Sequence, residues 1–357
     1  MKKIVAILLL ISTFIGSSQQ YPEVTISGTQ VRKITSKMVP GQEYELQIML
    51  PSGYENSTKK YPVTYVMDSQ WDFPLVTSIY GEQYYDGFIP EMIIVGVTWG
   101  GGEILRSRDY TPTQAEGQAE TGGADAFLDF MKTELFPFIE SNYRAESDNR
   151  TLMGCSLGGL FTLYTLFTHT DMFTGYAAAS PAIGWDNGIL NTYEKAFSKN
   201  QPTKPVCVYM TVGDVERGRP YFEEFAETMK NSNYKNVRLH SKVLENTGHS
   251  GTKSETYTRG LQYIFERNQL KLSDEILNKY VGTYQLNNDT RQVEITNENH
   301  ELKLYFAENG FPLLANTESH FYATFSFFNI HFKENNNVVE GFDFITYEGT
   351  QTLSKIK

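Results

Sequence analysis

Thr151-Leu152-Met153-Gly154-Cys155-Ser156-Leu157-Gly158-Gly159-Leu160 decides the fold of this chain. The stretch reads as the end of a buried strand, a turn built on glycines and the start of a helix. The spacing Gly154-x-Ser156-x-Gly158 is that of a nucleophile elbow. In such an elbow a serine stands at the tip of a strained strand-to-helix turn, its hydroxyl exposed and a helix N-terminus beneath it. Gly154 and Gly158 suit the turn because the backbone segments approach more closely than a Cβ allows. The residues that follow, Leu160-Phe161-Thr162-Leu163-Tyr164-Thr165-Leu166-Phe167, are apolar enough for a helix buried against a sheet.

Outward from the elbow the same alternation repeats. Short apolar runs at 62–67, 92–98, 151–153, 176–179, 206–212 and 237–244 predict strands, with helices at about 124–142, 157–169, 187–199, 219–232 and 251–269. Strands alternating with helices imply a mostly parallel sheet covered on both faces, which binds ligands at the carboxyl ends of its strands. Residues 21–50 alternate apolar and polar, as in Tyr44-x-Leu46-x-Ile48-x-Leu50, and predict paired antiparallel strands at one edge. After about residue 270 the character changes to period-2 runs such as Leu302-x-Leu304-x-Phe306 between Asn-rich turns. Residues 19–269 are therefore expected to form the α/β domain and 270–357 a small antiparallel β domain, a meander or barrel.

The first 18 residues read as a signal peptide: Lys2-Lys3, an apolar run at 4–15, then Gly16, Ser17 and Ser18 before Gln19. Export to the periplasm or the medium is the expectation, with no membrane span later in the chain. The 357 residues carry 31 Lys and Arg against 42 Asp and Glu, a net charge of −11. Without Lys2 and Lys3 the balance is 29 basic to 42 acidic, a charge of −13. Such a surface repels phosphate backbones, which excludes nucleic acid as a partner. Two cysteines, Cys155 and Cys207, make no disulfide framework and read as small buried hydrophobes. No metal-ligand cluster and no Lys-bearing phosphate loop is present, so no cofactor and no metal is expected. The sequence says nothing about subunit number.

A serine hydroxyl needs a neighbouring base to take its proton, and that base needs a carboxylate to fix its tautomer. In chain order the partners follow the serine as acid, then histidine. Of six histidines, His300, His320 and His331 fall in the β region, His169 ends the elbow helix and His240 lies within a strand. His249 stands in the turn Asn246-Thr247-Gly248-His249-Ser250-Gly251 after the last parallel strand, where a base can reach over the serine. The run at 206–212 ends in Gly213-Asp214-Val215-Glu216, and either carboxylate can orient the imidazole; Glu216 has more chain in which to turn back and is favoured over Asp214. An oxyanion needs two backbone N–H donors. Leu157 supplies one at the start of the new helix, and Gln70, in the loop Asp68-Ser69-Gln70-Trp71 after the run at 62–67, is the choice for the other.

With these residues in place the chain resembles the esterase D-like family of esterases, which includes feruloyl and acetyl-xylan esterases, siderophore trilactone esterases and mycolyl transferases. The resemblance rests on Tyr65-Val66-Met67-Asp68-Ser69-Gln70-Trp71 and Arg106-Ser107-Arg108-Asp109-Tyr110-Thr111-Pro112. It continues in the stretch from Gly122-Gly123-Ala124-Asp125-Ala126-Phe127 to Tyr143-Arg144, the elbow, Ser180-Pro181-x-x-x-Trp185, Val212-Gly213-x-x-Glu216 and Gly248-His249. It implies an α/β-hydrolase fold and a serine carboxylic-ester hydrolase with Ser156 as nucleophile, His249 as base and Glu216 as acid. The pattern is closest to the siderophore-esterase branch, where the acid is placed less securely; Asp214 and a Ser–His dyad stay open there. The tail from Tyr280-Val281-Gly282-Thr283-Tyr284 resembles the lipocalin-like β domains of some exported hydrolases.

The expected partner is a small-molecule or glycan ester: an acetyl or feruloyl sugar ester, or a siderophore. Acyl transfer to another acceptor shares the acyl-enzyme, and a catalytically weak ligand-binding relative shares the fold. Trp71, Trp99 and Trp185 all fall at or near strand carboxyl ends and suit a platform for a ring. Arg106 and Arg108 precede Asp109 and can bind an anionic substrate group, with Arg108 the candidate, or simply pair with Asp109 and order the loop, which is the favoured reading.

Overall fold

The computed structural model describes residues 25–100, 104–267, 269–287, 289–323, 328–346 and 349–357; the expected signal peptide lies outside them. An antiparallel pair, β1 (Thr29–Thr35) and β2 (Glu43–Met49), opens the fold with Tyr44 opposite Ile34. There follow β3 (Tyr61–Val66), α1 (Ser69–Tyr85), β4 (Ile93–Trp99) and the short α2 (Arg106–Asp109). A single π-helical turn at Met131–Leu135 joins α3 (Ala124–Phe130) to α4 (Phe136–Asn142). The sequence reads that stretch as one helix.

Next come β5 (Ala145–Cys155), α5 (Leu157–Thr168), β6 (Gly175–Ala179), α6 (Leu190–Phe197), β7 (Val206–Gly213), α7 (Arg219–Asn231), β8 (Val237–Leu244) and α8 (Thr252–Ile264). The eight strands form one sheet in the order β1-β2-β4-β3-β5-β6-β7-β8. All pairs from β4 to β8 are parallel, and β1 and β2 join antiparallel. Central strands are buried throughout because helices cover both faces: every residue of β3, β4 and β6 is enclosed. The edges are polar, as in Thr29-Gln30-Val31-Arg32-Lys33.

β3 lies between β4 and β5, so the chain leaves it toward one neighbour and later returns on its other side. That reversal opens a crevice at the carboxyl ends of β3 and β5, the place where open α/β sheets hold their ligands. Asp68 follows β3 there and Ser156 follows β5.

One element departs from the sequence reading. The segment after β3 is not a loop but α1, seventeen residues long, with Gln70 in its first turn. Its inward positions are Ser69, Asp72, Phe73, Val76, Thr77 and Tyr80, a helical stripe in which three members are polar. An apolar count therefore misses the period.

Beyond α8 a bridge from Leu270 to Ala315 and a short helix, α9 (Asp274–Tyr280), lead into a second core. Its strands are β9 (Gly282–Leu286), β10 (Gln292–Glu298), β11 (Glu301–Phe306), β12 (Asn309–Ala315), β13 (His320–Tyr322), β14 (Asn329–Asn335), β15 (Val338–Thr346) and β16 (Gly349–Lys355). Each pairs antiparallel with the next, and β16 returns to β9, which closes the barrel. Two-residue turns at Asn299-His300 and Asn336-Asn337 carry positive φ at both positions, the geometry that matches the twist of a hairpin. Tyr280, Tyr284, Phe321, Phe332 and Phe342 fill the interior.

Candidate active site

Ser156 sits at φ 61°, ψ −116°, a strained conformation that an L residue holds only when its surroundings fix it. They do so on three sides. Its N–H donates to Ala179 O at 3.0 Å, and its carbonyl accepts from Leu160 N at 2.9 Å and Ala182 N at 3.1 Å. Gly154 is required here: a Cβ would come within 2.5 Å of the Gly158 carbonyl atoms. Leu157 is the first residue of α5, so its N–H has no acceptor within the helix and points out with the positive end of the dipole. The neighbouring Cys155 is buried, and burial pushes its thiol up to about 12, which keeps it protonated.

Along the same carboxyl-end edge of the sheet, beyond β6, the turn after β7 meets the turn after β8. His249 Nδ1 lies 2.6 Å from Glu216 Oε2. The other carboxylate oxygen, Oε1, accepts from Ser180 Oγ at 2.6 Å and from the Gly213 N–H at 2.7 Å. Burial pushes the Glu216 carboxyl up, but the hydrogen bonds from Ser180, His249 and Gly213 outweigh it and hold the group below its ordinary value. Ser180 is buried at φ 40°, and its Oγ also lies 2.8 Å from Thr252 Oγ1, which donates to the His249 carbonyl at 2.8 Å. One network thus fixes both the carboxylate and the backbone of the histidine. Gly213 lets the two turns meet, since a Cβ there would lie 1.9 Å from Thr247 O. Asp214 faces a different partner: its Oδ1 accepts from Thr247 N at 3.1 Å, and backbone donors at Asn246 and Thr247 lower its carboxyl. It ties down the turn that carries His249.

The β3 side is held as firmly. Asp68 adopts φ 54° and is buried, and its carboxylate takes two hydrogen bonds from Arg106, at 2.9 and 2.8 Å. Burial pushes this carboxyl up against the pull of Arg106. The Asp68 N–H donates to Tyr110 Oη at 3.0 Å. Helix geometry then leaves the N–H groups of Ser69 and Gln70 without intrahelical acceptors. The start of α5 lies against the segment that joins β3 to α1, for a Cβ on Gly158 would sit 3.2 Å from Asp68 Oδ2 and 3.3 Å from Met67 Cβ. Asp72 of α1 accepts from Lys253 Nζ at 2.5 Å and Tyr257 Oη at 2.6 Å, both on α8, which joins this side to the helix that follows His249.

Of the residues read as substrate-binding, Trp71 is in the first turn of α1 and is 53% exposed, with the Arg106 guanidinium over its ring. Trp185 is half-buried in a short 3-10 turn. Trp99 ends β4 inside the core, where its indole N–H donates to Asp109 Oδ2 at 2.7 Å, so it offers no platform. Arg108 pairs with buried Asp109 at 2.6 Å and donates to Gln42 Oε1 at 3.0 Å, the loop-ordering arrangement. Cys207, read as buried, is half-exposed and faces Arg238. Ser180, Thr252 and Asp72 were given no part in the site by the sequence, and Arg106, read as a partner for a substrate anion or Asp109, pairs instead with Asp68. Ser180-Pro181 is visible as a motif, but its positive φ and its partner 36 residues away are not. An open cavity of about 610 Å³ adjoins His249, walled by Ile183, Val215, Arg217 and Tyr221. Among the described residues no group of three His, Cys, Asp or Glu side chains is placed to hold a metal, and no helix is long and apolar enough to cross a membrane.

Comparison with known proteins gives this geometry a family. The profile of the family described as "Putative esterase" matches residues 36–285. The chain is similar to the ferri-bacillibactin esterase BesA of Bacillus subtilis (strain 168), 30% identical over 213 residues that cover 54% of this chain and 72% of BesA. It is similar to the siderophore triacetylfusarinine C esterase of Aspergillus fumigatus, 31% identical over 44% of this chain and 57% of that protein. Among solved structures, a BES protein from Bacillus cereus superposes with a TM-score of 0.61 at 28% identity, covering 69% of this chain and 97% of that one. An IroE-like serine hydrolase from Shewanella oneidensis gives 0.62 at 25% identity, covering 70% and 84%. The profile match spans most of the sheet-bearing region, and the chain belongs to the "Putative esterase" family as a carboxylic ester hydrolase of the α/β-hydrolase fold.

Proposed function

We propose that the chain is an exported serine esterase that cleaves siderophore esters through an acyl-enzyme. The observation that carries the mechanism is the 2.6 Å contact between His249 Nδ1 and Glu216 Oε2, a pair tied through Ser180 to the end of β6, the strand beside the one that leads into the strained serine. With Nδ1–H donated to the carboxylate, Nε2 is the basic nitrogen. Ser156 Oγ attacks the ester carbonyl and His249 Nε2 takes its proton. The N–H groups of Leu157 and Gln70 receive the oxyanion, and collapse expels the alcohol, which takes the proton from His249. Water repeats the cycle and releases the acid. Asp214 serves as a tether for the base-bearing turn in this reading.

The substrate class is supported by the relatives, two of which carry a siderophore ester in their names. The 1–18 leader supports export, and the division near residue 270 makes the hydrolase and the barrel separate folding units. A panel of a siderophore trilactone, a feruloyl sugar ester and acetyl-xylan tests the substrate. The trilactone is expected to show the highest kcat/KM, and a preference for either glycan ester overturns the assignment while leaving the triad standing.

A further inference from the structure

A cleft of about 920 Å³ lies where the β8 edge of the sheet and α8 face the barrel, away from the elbow. Three arginines line it: Arg238 of β8, Arg259 of α8, and Arg267 just beyond α8. In a chain of net charge −11 this is a local excess of positive charge. Arg238 has Glu266 as a counter-ion. Among the described residues the hydrogen-bond partner of Arg259 is Gln262 Oε1, at 2.7 Å, and that of Arg267 is Asn329 Oδ1 of the barrel, at 2.7 Å. Among the described residues no carboxylate lies within ion-pair distance of either. Arg267 is the more telling, because its guanidinium also packs over the Tyr322 ring, 4.7 Å from its centroid. A half-buried cation that cannot lose its proton is costly unless an anion meets it. Burial already holds its pKa below the ordinary value.

The cleft also offers rings. His240 is exposed and stacks on Tyr209, with centroids 4.9 Å apart and planes inclined by 11°. Tyr263 leans on both, at 5.8 and 5.7 Å. The outer face of the imidazole continues this stack toward solvent, where a planar or sugar ring can add to it.

We propose that this cleft is a second binding site, distinct from the Ser156 centre, for a ring that carries a carboxylate. The carboxylate is met by Arg267 and Arg259, and the ring lies against the His240–Tyr209–Tyr263 stack. A sugar acid and an aromatic acid share this chemistry. Because Arg267 bonds to Asn329 and packs on Tyr322, the ligand bridges the hydrolase sheet and the barrel.

Titration calorimetry of the full chain with sodium glucuronate and with 4-hydroxybenzoate tests the site. Methyl glucoside and 4-hydroxybenzamide serve as the neutral counterparts. Saturable binding of at least one acid is expected, with its neutral counterpart at least about tenfold weaker. The acid that binds identifies the source. Arg267→Gln is expected to weaken that binding about tenfold or more, and Arg267→Lys to restore part of it. Arg259→Gln changes an exposed side chain, so its loss of affinity is read in a protein that folds as the parent does. No saturation by either acid overturns the proposal. So does equal binding of acid and neutral counterpart, or undiminished binding in an Arg259→Gln/Arg267→Gln double variant. None of these outcomes touches the esterase reading, since the probes are not esters.

Discussion

The parallel sheet and the closed barrel handle polarity and strain in opposite ways. Tyrosines aside, every buried polar or charged side chain among the described residues lies between Ser36 and Thr256, and none lies in the barrel. The barrel interior is aromatic and aliphatic, and its positive-φ residues sit at turns such as Asn299-His300 and Asn336-Asn337. In the sheet region three such residues, Asp68, Ser156 and Ser180, stand within two residues of the ends of β3, β5 and β6, and all three belong to the proposed site. Strain in a hairpin turn only reverses the chain. At a strand's carboxyl end it is held by buried hydrogen bonds, and it aims a reactive group.

Perturbing the polar side should therefore strike turnover and perturbing the barrel should strike stability. The largest effect is expected from Ser156→Ala, with a loss of kcat on the order of 10⁴-fold or more and no loss of thermal stability. Stopped assays on a nitrophenyl butyrate together with a thermal melt check both halves. Glu216→Gln comes next, at roughly 10²–10⁴-fold in kcat, because the imidazole keeps its place but loses the charge that stabilises its cationic form. Asp214→Asn, measured alongside, should lose far less; a loss equal to that of Glu216→Gln would break the assignment of the acid.

Ser180→Ala is a subtler probe. It removes a 2.6 Å hydrogen bond to a carboxylate, worth about 1.5–3 kcal/mol, and should lower kcat roughly tenfold. It also has a pH signature. Glu216 is held below its ordinary carboxyl value, so its contribution to stability is present above that value and disappears as pH falls through the lowered one. Without Ser180 the carboxyl rises, and acid unfolding should begin at higher pH. An unchanged acid midpoint removes Ser180 from the network. At the other end of the scale, Phe342→Ala empties a fully buried position in the barrel and should cost about 3–5 kcal/mol there, with kcat/KM on a small ester unchanged below the barrel's melting temperature. A fall in kcat/KM with the barrel still folded would mean that the two regions are coupled in catalysis.

Legibility in the sequence follows the same division. The central strands and α5 are readable because burial on both sides makes them continuous apolar runs, and the barrel because alternation and Asn turns are local signals. α1 is not readable, since Ser69, Asp72 and Thr77 occupy inward positions that a pattern count assigns to solvent. The meeting of Glu216 and His249 was anticipated by chain order, with Asp214 left open beside it. What holds the pair was not, because Ser180 reaches Glu216, 36 residues away, from a positive-φ position; nor was the β3 side, where Arg106 holds Asp68, 38 residues away. Trp99 looked like its two fellow tryptophans in sequence, and only the Asp109 carboxylate under its indole distinguishes it.

Intact-mass and peptide mass spectrometry after brief reaction with a fluorophosphonate tests the central claim most directly. The account predicts one adduct per chain, on the peptide that contains Ser156, and no adduct in Ser156→Ala. A single adduct on any other residue, or labelling and ester turnover undiminished in Ser156→Ala, would contradict it.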